Sequence, residues 1–341
     1  MANYRHILVI RFSAMGDVAM TVPVIRTVLD QNPEIRITVL TRTRFTTLFS
    51  SVPGIDVIGA NLEADYKGFF GIYKLARELK KQRFDAIVDL HNVLRTKLLK
   101  LFLKGIPFFQ LDKGRSEKKD LITGRKIQQL KTTHQRYADV FSEMNVKSNL
   151  HSPIFPRKAE IDGFLDSLNI DSKTSLIGIA PFAAHEAKMY PLELMEKVIA
   201  ELSKTHQLVL FGGGSAESLA LSRIEKQFNN VLSVAGNLSF QEELDLISNL
   251  DLMISMDSGN GHLAAIYGIP VISVWGVTHP FAGFAPFNQP AENSIIADLE
   301  KFPLIPTSVY GNKYPKGYER PATSIAPEAI IRKVAEILKE S

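Results

Sequence analysis

Short apolar runs alternate with segments of helical periodicity along most of this 341-residue chain. The first apolar run is His6–Arg11, and helical spacing follows over Asp17–Leu29. The alternation starts afresh in the second half, with an apolar run at Leu176–Ala180 and a helix over Leu192–Lys204. Strands that alternate with helices of about 10–15 residues predict βαβ units and parallel sheets. We therefore expect an α/β protein with two Rossmann-like, doubly wound domains that face each other across a cleft.

The boundary between the two domains is predicted at a polar stretch with two prolines, Asn145–Pro156. We expect an N-terminal domain over residues 1–150 and a C-terminal domain over residues 151–341. The amphipathic segment Pro327–Lys339 predicts a closing helix, which could also pack back on the N-terminal domain. Within the first half, Lys113–Lys131 is polar, basic and weakly patterned, which predicts an exposed loop.

Composition excludes several classes of protein. The chain has no cysteine, so disulfides, thiolate metal sites and cysteine nucleophiles are excluded, and a reducing compartment such as the cytoplasm is favoured. No apolar run approaches the roughly 20 residues of a membrane span. The apolar start of the chain is short and is followed by Arg11 and Asp17, which is typical of a first strand and not of a signal peptide.

Charge is distributed unevenly along the chain. Residues 1–150 carry 25 Lys and Arg against 14 Asp and Glu, whereas residues 151–341 carry 15 against 22. The excess of basic over acidic residues is concentrated in Val93–Lys131, which has 11 basic residues and 3 acidic ones. A positive field of this kind suits a phosphorylated or anionic partner, but a solvated helical face would look the same.

Two strand-to-helix turns carry residues suited to chemistry. In the first, Arg11–Asp17, a glycine permits a tight turn and Asp17 begins a helix, where it is either a helix cap or a general base. In the second, Met256–His262, the helix start offers backbone N–H groups and the Ser258 hydroxyl to an anion, although Asp257 or Ser258 could serve only as the helix cap. The nucleotide-binding patterns GxGxxG and GxxxxGK[ST] are absent.

Two further loops follow predicted strands. Lys188 lies in the loop after Ala180, where a lysine can neutralise a leaving diphosphate, although a single lysine in a loop is more often only solvated. The turn Gly212-Gly213-Gly214 is followed by Glu217, which suits a nucleotide with the acid on its ribose hydroxyls. Glycine-rich turns are common, so this second signal is weak by itself.

Four segments occur in the order and spacing of a known family: ILVIRFSAMGDVAMTVPVIRTV, APFAAHEAKMYPLELMEKV, LVLFGGGSAES and MISMDSGNGHLAAIYGIPVISVWGVTHP. Over about residues 5 to 285 the chain resembles glycosyltransferase family 9, the ADP-heptose:lipopolysaccharide heptosyltransferases. The resemblance implies a GT-B fold, an inverting mechanism and a nucleotide sugar held mainly by the C-terminal domain. It implies transfer of heptose from ADP-heptose to the Kdo/heptose–lipid A inner core of lipopolysaccharide.

Site residues also follow from the resemblance. Asp17 would be the catalytic base, with Arg11, Ser13 and Arg95 on the acceptor side. The residues expected to bind the donor are Lys188, Ser258 and Gly259 on the diphosphate, Glu217 on the ribose, Leu238 against the adenine, His262 on the donor-side helix, and Asp257. No Asp-x-Asp pair is present, so we expect no obligatory metal ion and no cofactor.

The expected partners are a nucleotide sugar, a phosphorylated glycolipid and the inner-membrane surface, with no nucleic acid. The expected location is the cytoplasm, in peripheral contact with the inner face of the inner membrane. Three departures from the family pattern bear on the sugar and the acceptor: Ala183-Ala184 in place of hydroxyl residues, Asn260 after the DSG motif, and Thr278-His279-Pro280 in place of TDP. Residues 302–321 match no part of the pattern. The alternatives are a GT-B transferase for another nucleotide sugar, a nucleotide-sugar or anionic-lipid binding protein without turnover, and, less favoured without GxGxxG, a Rossmann oxidoreductase.

Overall fold

A computed structural model describes residues 4–168, 170 and 174–340 of the chain. The outermost ends of the two predicted domains, residues 1–3 and 341, lie outside the described residues. The strands in chain order are β1 (His6–Ile10), β2 (Arg36–Arg42), β3 (Asp56–Ala60), β4 (Ala86–Asp89), β5 (Phe108–Gln110), β6 (Leu176–Ala180), β7 (Gln207–Leu210), β8 (Val231–Ser233), β9 (Leu252–Met256), β10 (Val271–Trp275) and β11 (Ser294–Ile296). The helices are α1 (Met15–Ala19), α2 (Thr21–Gln31), α3 (Gly68–Lys80), α4 (Leu94–Phe102), α5 (Arg115–Ile122), α6 (Thr133–Ser142), α7 (Asp162–Ser167), α8 (Leu192–Leu202), α9 (Ser215–Glu225), α10 (Phe240–Ile247), α11 (Gly259–Ile266) and α12 (Pro327–Glu340).

The chain divides into two compact units. The first comprises residues 1–113 and 133–156, and the second comprises residues 114–132 and 157–341. The closing helix α12 packs on α8 and β10 of the second unit. Among the described residues, no helix is long and apolar enough to cross a membrane.

The first unit is built on one parallel sheet. Within its described residues the strand order is β3-β2-β1-β4-β5, and every neighbouring pair runs parallel. The central strands are continuous apolar runs because helices cover both faces of such a sheet. The order reverses direction between β1 and β4, and ligands of open α/β sheets bind beyond the carboxyl ends of the strands at this switch point.

The second unit repeats this plan with six strands in its described residues, in the order β11-β10-β9-β6-β7-β8, again with all neighbours parallel. Its switch point lies between β6 and β9. Its core packs the central strands against α8, α9 and α12, through residues such as Ile179, Val198 and Ile330. The α/β prediction with two Rossmann-like parallel sheets is thereby confirmed.

The prediction of an exposed loop over Lys113–Lys131 is wrong for the first half of this segment, whereas residues 123–131 are irregular and mostly exposed. Residues 115–122 form the helix α5, and residues 114–132 group with the second unit. Leu121 and Leu130 pack with Ala282 in a small apolar cluster, and Lys118 is buried, with its ammonium 4.2 Å from the centroid of the Phe284 ring. The helix α5 holds only two apolar residues, the adjacent Leu121 and Ile122, which are too few to show helical periodicity. Tertiary packing therefore stabilises a helix that the pattern did not predict.

Candidate active site

An arginine and a carboxylate meet at the switch point of the first unit. Arg11 follows β1 and Asp17 lies in α1, and Arg11 Nη2 is 2.8 Å from Asp17 Oδ2. Arg11 Nη1 also donates a hydrogen bond of 2.6 Å to the carbonyl of Leu90, just after β4. Arg11 thus ties together the two loops that flank the switch point. The Arg11 side chain is 8% exposed and that of Asp17 is 28% exposed, so the carboxylate is the accessible member of the pair.

The two carboxylate oxygens of Asp17 have different surroundings. Oδ2 accepts hydrogen bonds from Arg11 and from the backbone N–H of Ala14, the latter at 3.2 Å. Within the described chain, Oδ1 accepts no hydrogen bond. Asp17 therefore does cap the start of α1, as one of the two sequence interpretations expected, and it keeps one oxygen that can accept a proton from a substrate.

His91 adds a group that the sequence analysis did not single out. It lies two residues after the end of β4, and its ring centroid is 6.0 Å from that of Phe12. Its Nδ1 is buried without a hydrogen-bond partner among the described residues. Burial, followed by the charges of Arg11 and Lys113, lowers the pKa of His91 to about 3. His91 is therefore neutral near pH 7 beside the Arg11–Asp17 pair. Only its place after a strand at the sheet edge could have pointed to it.

The other two residues predicted for the acceptor side lie at the same edge of the first sheet. Ser13 is half-buried in the turn between Arg11 and α1, and Arg95 is exposed in the first turn of α4, after β4. Parallel strands end at one edge, so these positions cluster near the switch point.

A second buried ion pair marks the switch point of the second unit. Lys188 follows β6 and Asp257 follows β9, and Lys188 Nζ lies 2.9 Å from Asp257 Oδ2. The Lys188 side chain is 13% exposed and that of Asp257 is 10% exposed. Thr278 Oγ1 donates a further hydrogen bond of 2.8 Å to the same Asp257 oxygen. Lys188 is thus a largely buried, paired cation and not the solvated lysine of the alternative interpretation.

Two glycines enclose this lysine closely. A Cβ on Gly311 would lie 2.4 Å from Lys188 Cγ and 2.6 Å from Cδ, and a Cβ on Gly276 would lie 2.3 Å from the carbonyl oxygen of Ala187. Gly311 also has a φ of +75°, which favours glycine. It belongs to residues 302–321, which matched no family pattern, so this segment packs against the lysine. Neither Thr278 nor Gly311 was predicted as a site residue.

The helix α11 begins beside this ion pair. Ser258 precedes the helix, and its hydroxyl lies 3.1 Å from that of Ser255 instead of capping a backbone N–H. Among the described residues, the N–H groups of Gly259 and Asn260 have no backbone or side-chain acceptor, whereas that of Gly261 donates to Ser255 Oγ at 3.1 Å. Such a helix start attracts anions. His262 is buried on the same helix.

The remaining donor-side residues lie near one another on the same unit. Glu217 Oε2 accepts a hydrogen bond of 2.7 Å from the N–H of Gly213, which fixes the acid over the glycine turn after β7. Leu238 is half-buried just before α10. The turn that leads to Leu238 passes close to α9, since a Cβ on Gly236 would lie 3.2 Å from Ser218 Oγ. The positions expected to contact ribose and adenine are therefore close together.

Comparison with known proteins decides the family. The family model described as glycosyltransferase family 9 (heptosyltransferase) matches residues 72–304, which is more than half of the chain. The chain belongs to glycosyltransferase family 9. It is therefore a glycosyltransferase of a heptosyltransferase family, which confirms the family that the motifs resembled.

Individual relatives are similar over nearly the whole length of this glycosyltransferase. The lipopolysaccharide core heptosyltransferase OpsX of Haemophilus influenzae is 24% identical over 299 residues, which cover 84% of this chain and 82% of OpsX. A family 9 glycosyl transferase from Veillonella parvula superimposes with a TM-score of 0.78 at 19% identity, covering 99% of this chain and 98% of its own. The ADP-heptose LPS heptosyltransferase II of E. coli superimposes with a TM-score of 0.70 at 20% identity, covering 98% and 99%. These structures confirm the GT-B fold.

Proposed function

We propose that this chain is an inverting heptosyltransferase that moves heptose from ADP-heptose to the inner core of lipopolysaccharide. The observation that carries the proposal is Asp17, a carboxylate with one oxygen open to a substrate at the switch point of the first unit. Support for the donor comes from the ADP-heptose LPS heptosyltransferase II of E. coli, whose fold this chain shares.

On the donor side, Lys188 and the start of α11 would neutralise the diphosphate. Two backbone N–H groups and the Ser258 hydroxyl surround the position where an anion binds a helix start. Charge grows on the diphosphate as the bond to the sugar breaks, and donors already in place stabilise that charge without reorganising. Glu217 would hold the ribose hydroxyls, and Leu238 would pack on the adenine.

On the acceptor side, Asp17 would take the proton of the attacking hydroxyl. The hydroxyl oxygen forms a bond to the anomeric carbon while the bond from that carbon to the diphosphate oxygen breaks, and ADP leaves. The transition state carries oxocarbenium character, and attack from the opposite side inverts the configuration. Arg11 holds the Asp17 carboxylate in position through their ion pair, and Ser13 and Arg95 would contact the acceptor.

We further propose that transfer needs no divalent metal ion and no cofactor, because Lys188 and the helix start supply the positive charge. Among the described residues, no group of three or more His, Asp or Glu side chains is arranged to hold a metal. The acceptor is a phosphorylated glycolipid, so we place the enzyme in the cytoplasm, in peripheral contact with the inner-membrane surface.

Incubation with ADP-heptose and deacylated inner-core acceptors, followed by mass spectrometry, tests the proposal. The expected product gains one heptose, in the presence or absence of EDTA. Transfer from a different nucleotide sugar only would replace the donor assignment, and nucleotide binding without turnover would make the chain a binding protein. Activity lost in EDTA and restored by Mg²⁺ would contradict metal-free transfer.

A further inference from the structure

One surface of the first unit exposes large apolar side chains that its core does not use. Phe69, Phe70 and Tyr73 on α3 are 53%, 83% and 48% exposed, and Leu101 on α4 is 49% exposed. The opposite side of α3 supplies the core through Ile72, Leu75, Ala76 and Leu79. The N-terminal half of α3 is therefore apolar on both sides, and only one side is covered by the fold.

Ring contacts join the aromatic side chains into one continuous face, and Leu101 is the neighbour of one of these rings, Phe102, along α4. The ring of Phe102 on α4 has its centroid 5.2 Å from that of Phe69 and 5.3 Å from that of Tyr73. Phe69 in turn contacts Phe70, with centroids 5.7 Å apart. We call Phe69, Phe70, Tyr73, Leu101 and Phe102 the aromatic face.

Positive charge accompanies the aromatic face. The helices α3 and α4 together carry six Lys and Arg residues and one acidic residue, Glu78. Glu78 accepts a hydrogen bond of 2.6 Å from the Tyr66 hydroxyl. Arg77 lies one turn beyond Tyr73 on α3, and Lys97 lies one turn before Leu101 on α4. Both cations are exposed, and each lies on the same side of its helix as the aromatic face.

We propose that the aromatic face is the surface through which the enzyme docks on an anionic phospholipid bilayer. Interfacial helices combine aromatic and aliphatic side chains on the buried side with Lys and Arg beside them. Tyrosine and lysine suit this position, since each has an apolar body and a polar end that reaches the headgroups. The occupant is a lipid surface and not a second protein because the cations fit anionic headgroups, and because the proposed acceptor is itself anchored in a membrane. In that last respect the inference rests on the proposed function.

Vesicle sedimentation tests the docking surface without any assay of turnover. The purified chain should bind vesicles that mix phosphatidylcholine with phosphatidylglycerol and bind vesicles of phosphatidylcholine alone more weakly. Replacing the most exposed ring, Phe70→Ser, should lower the partition coefficient by about tenfold, as expected from the apolar surface withdrawn from the interface. Ile127→Ser, a matched removal of an exposed apolar side chain on the other unit, should leave it unchanged.

Neutralising the cations should act only on charged membranes. Arg77→Gln with Lys97→Gln should weaken binding to the phosphatidylglycerol vesicles by about fivefold for each charge removed. The matched pair Arg157→Gln with Lys158→Gln, on the second unit, should have no such effect. Transfer to a deacylated, water-soluble acceptor should be unchanged in Phe70→Ser, whereas transfer to acceptor embedded in the vesicles should fall.

Two results would overturn the docking surface. The first is equal binding of wild type and Phe70→Ser to the phosphatidylglycerol vesicles. The second is a wild-type dimer in sedimentation velocity that becomes monomeric in Phe70→Ser, which would assign the aromatic face to a second copy of the chain. A chain that binds vesicles as expected but transfers no heptose would refute the proposed function and leave the docking surface standing.

Discussion

The Lys188–Asp257 ion pair makes a prediction in which two variants change ADP affinity in opposite directions. In the ligand-free protein, Asp257 neutralises the same lysine that is proposed to hold the diphosphate. Lys188→Ala removes the cation that the diphosphate needs. Asp257→Asn removes the carboxylate that competes with the diphosphate and keeps a side chain of almost the same shape.

The burial of the pair sets the magnitudes. A charged hydrogen bond to phosphate contributes about 1.5–3 kcal/mol, so Lys188→Ala should raise the Kd for ADP about tenfold or more. Removing one partner of a buried ion pair costs about 3–5 kcal/mol, and both side chains are almost buried, so each variant should lower the free energy of unfolding by about 3 kcal/mol. In Asp257→Asn the diphosphate restores a partner to the stranded lysine, so ADP should bind up to about tenfold more tightly, which corresponds to about 1.4 kcal/mol.

Calorimetric titration with ADP, with melting temperatures measured with and without ADP, checks both directions. The increase in melting temperature on adding ADP should be larger than wild type in Asp257→Asn and smaller in Lys188→Ala. Lys197→Ala, an exposed lysine on α8, is the control and should match wild type. Equal weakening of ADP binding in both variants would contradict this competition, because Asp257 would then hold the lysine in place for the ligand.

Three further predictions concern single residues. Gly311→Ala should displace Lys188 and raise the Kd for ADP in calorimetry. Gly317 also has a positive φ, of +91°, but open space around it, so Gly317→Ala should bring the same kind of backbone strain, about 1–3 kcal/mol, and leave that Kd unchanged. The pKa of His91 is near 6.5 in the unfolded chain and near 3 in the folded one, so protonation of the unfolded chain lowers the free energy of unfolding by about 2 kcal/mol between pH 7 and pH 5. In urea unfolding, the free energy of unfolding of His91→Gln should fall less over this pH range than that of wild type. An equal fall in both proteins would remove His91 as the cause. Lys118→Ala should lower the free energy of unfolding by about 2 kcal/mol, since a desolvated cation–π contact is lost, whereas its exposed neighbour in Lys119→Ala should change it by less than about 0.5 kcal/mol.

The sequence predicted the strands well because buried parallel strands are continuous apolar runs bounded by turn residues. The prediction for Leu176–Ala180 matches β6 at both ends. By contrast, β8 and β11 are three residues long, too short to show any period. α5 depends on packing against Ala282, more than 150 residues further along the chain, and no local pattern reports such a contact.

In the candidate site, too, the sequence predicted some features, whereas others depend on tertiary packing. Asp17 and Lys188 could be proposed from the sequence because each follows a predicted strand, and the carboxyl edge of a parallel sheet is where ligands bind. Asp257 was expected at the donor site through the family resemblance. That Lys188 pairs with Asp257 could not be predicted, since 68 intervening residues separate the two loops and only the strand order brings β6 beside β9. The contact of Gly311 with Lys188 and the lowered pKa of His91 also arise from tertiary packing.

The central claim is that Asp17 is the catalytic base and not only the cap of α1. Asp17→Asn tests it directly, because the amide oxygen of asparagine can still accept the Ala14 N–H while the side chain can no longer take a proton near pH 7. The measurement is kcat for transfer from ADP-heptose, with the Kd for ADP and the melting temperature recorded on the same samples. We expect a loss of about 10²–10⁴-fold in kcat, typical of a removed general base, with the Kd for ADP nearly unchanged. A kcat close to wild type would contradict it and leave Asp17 as a helix cap.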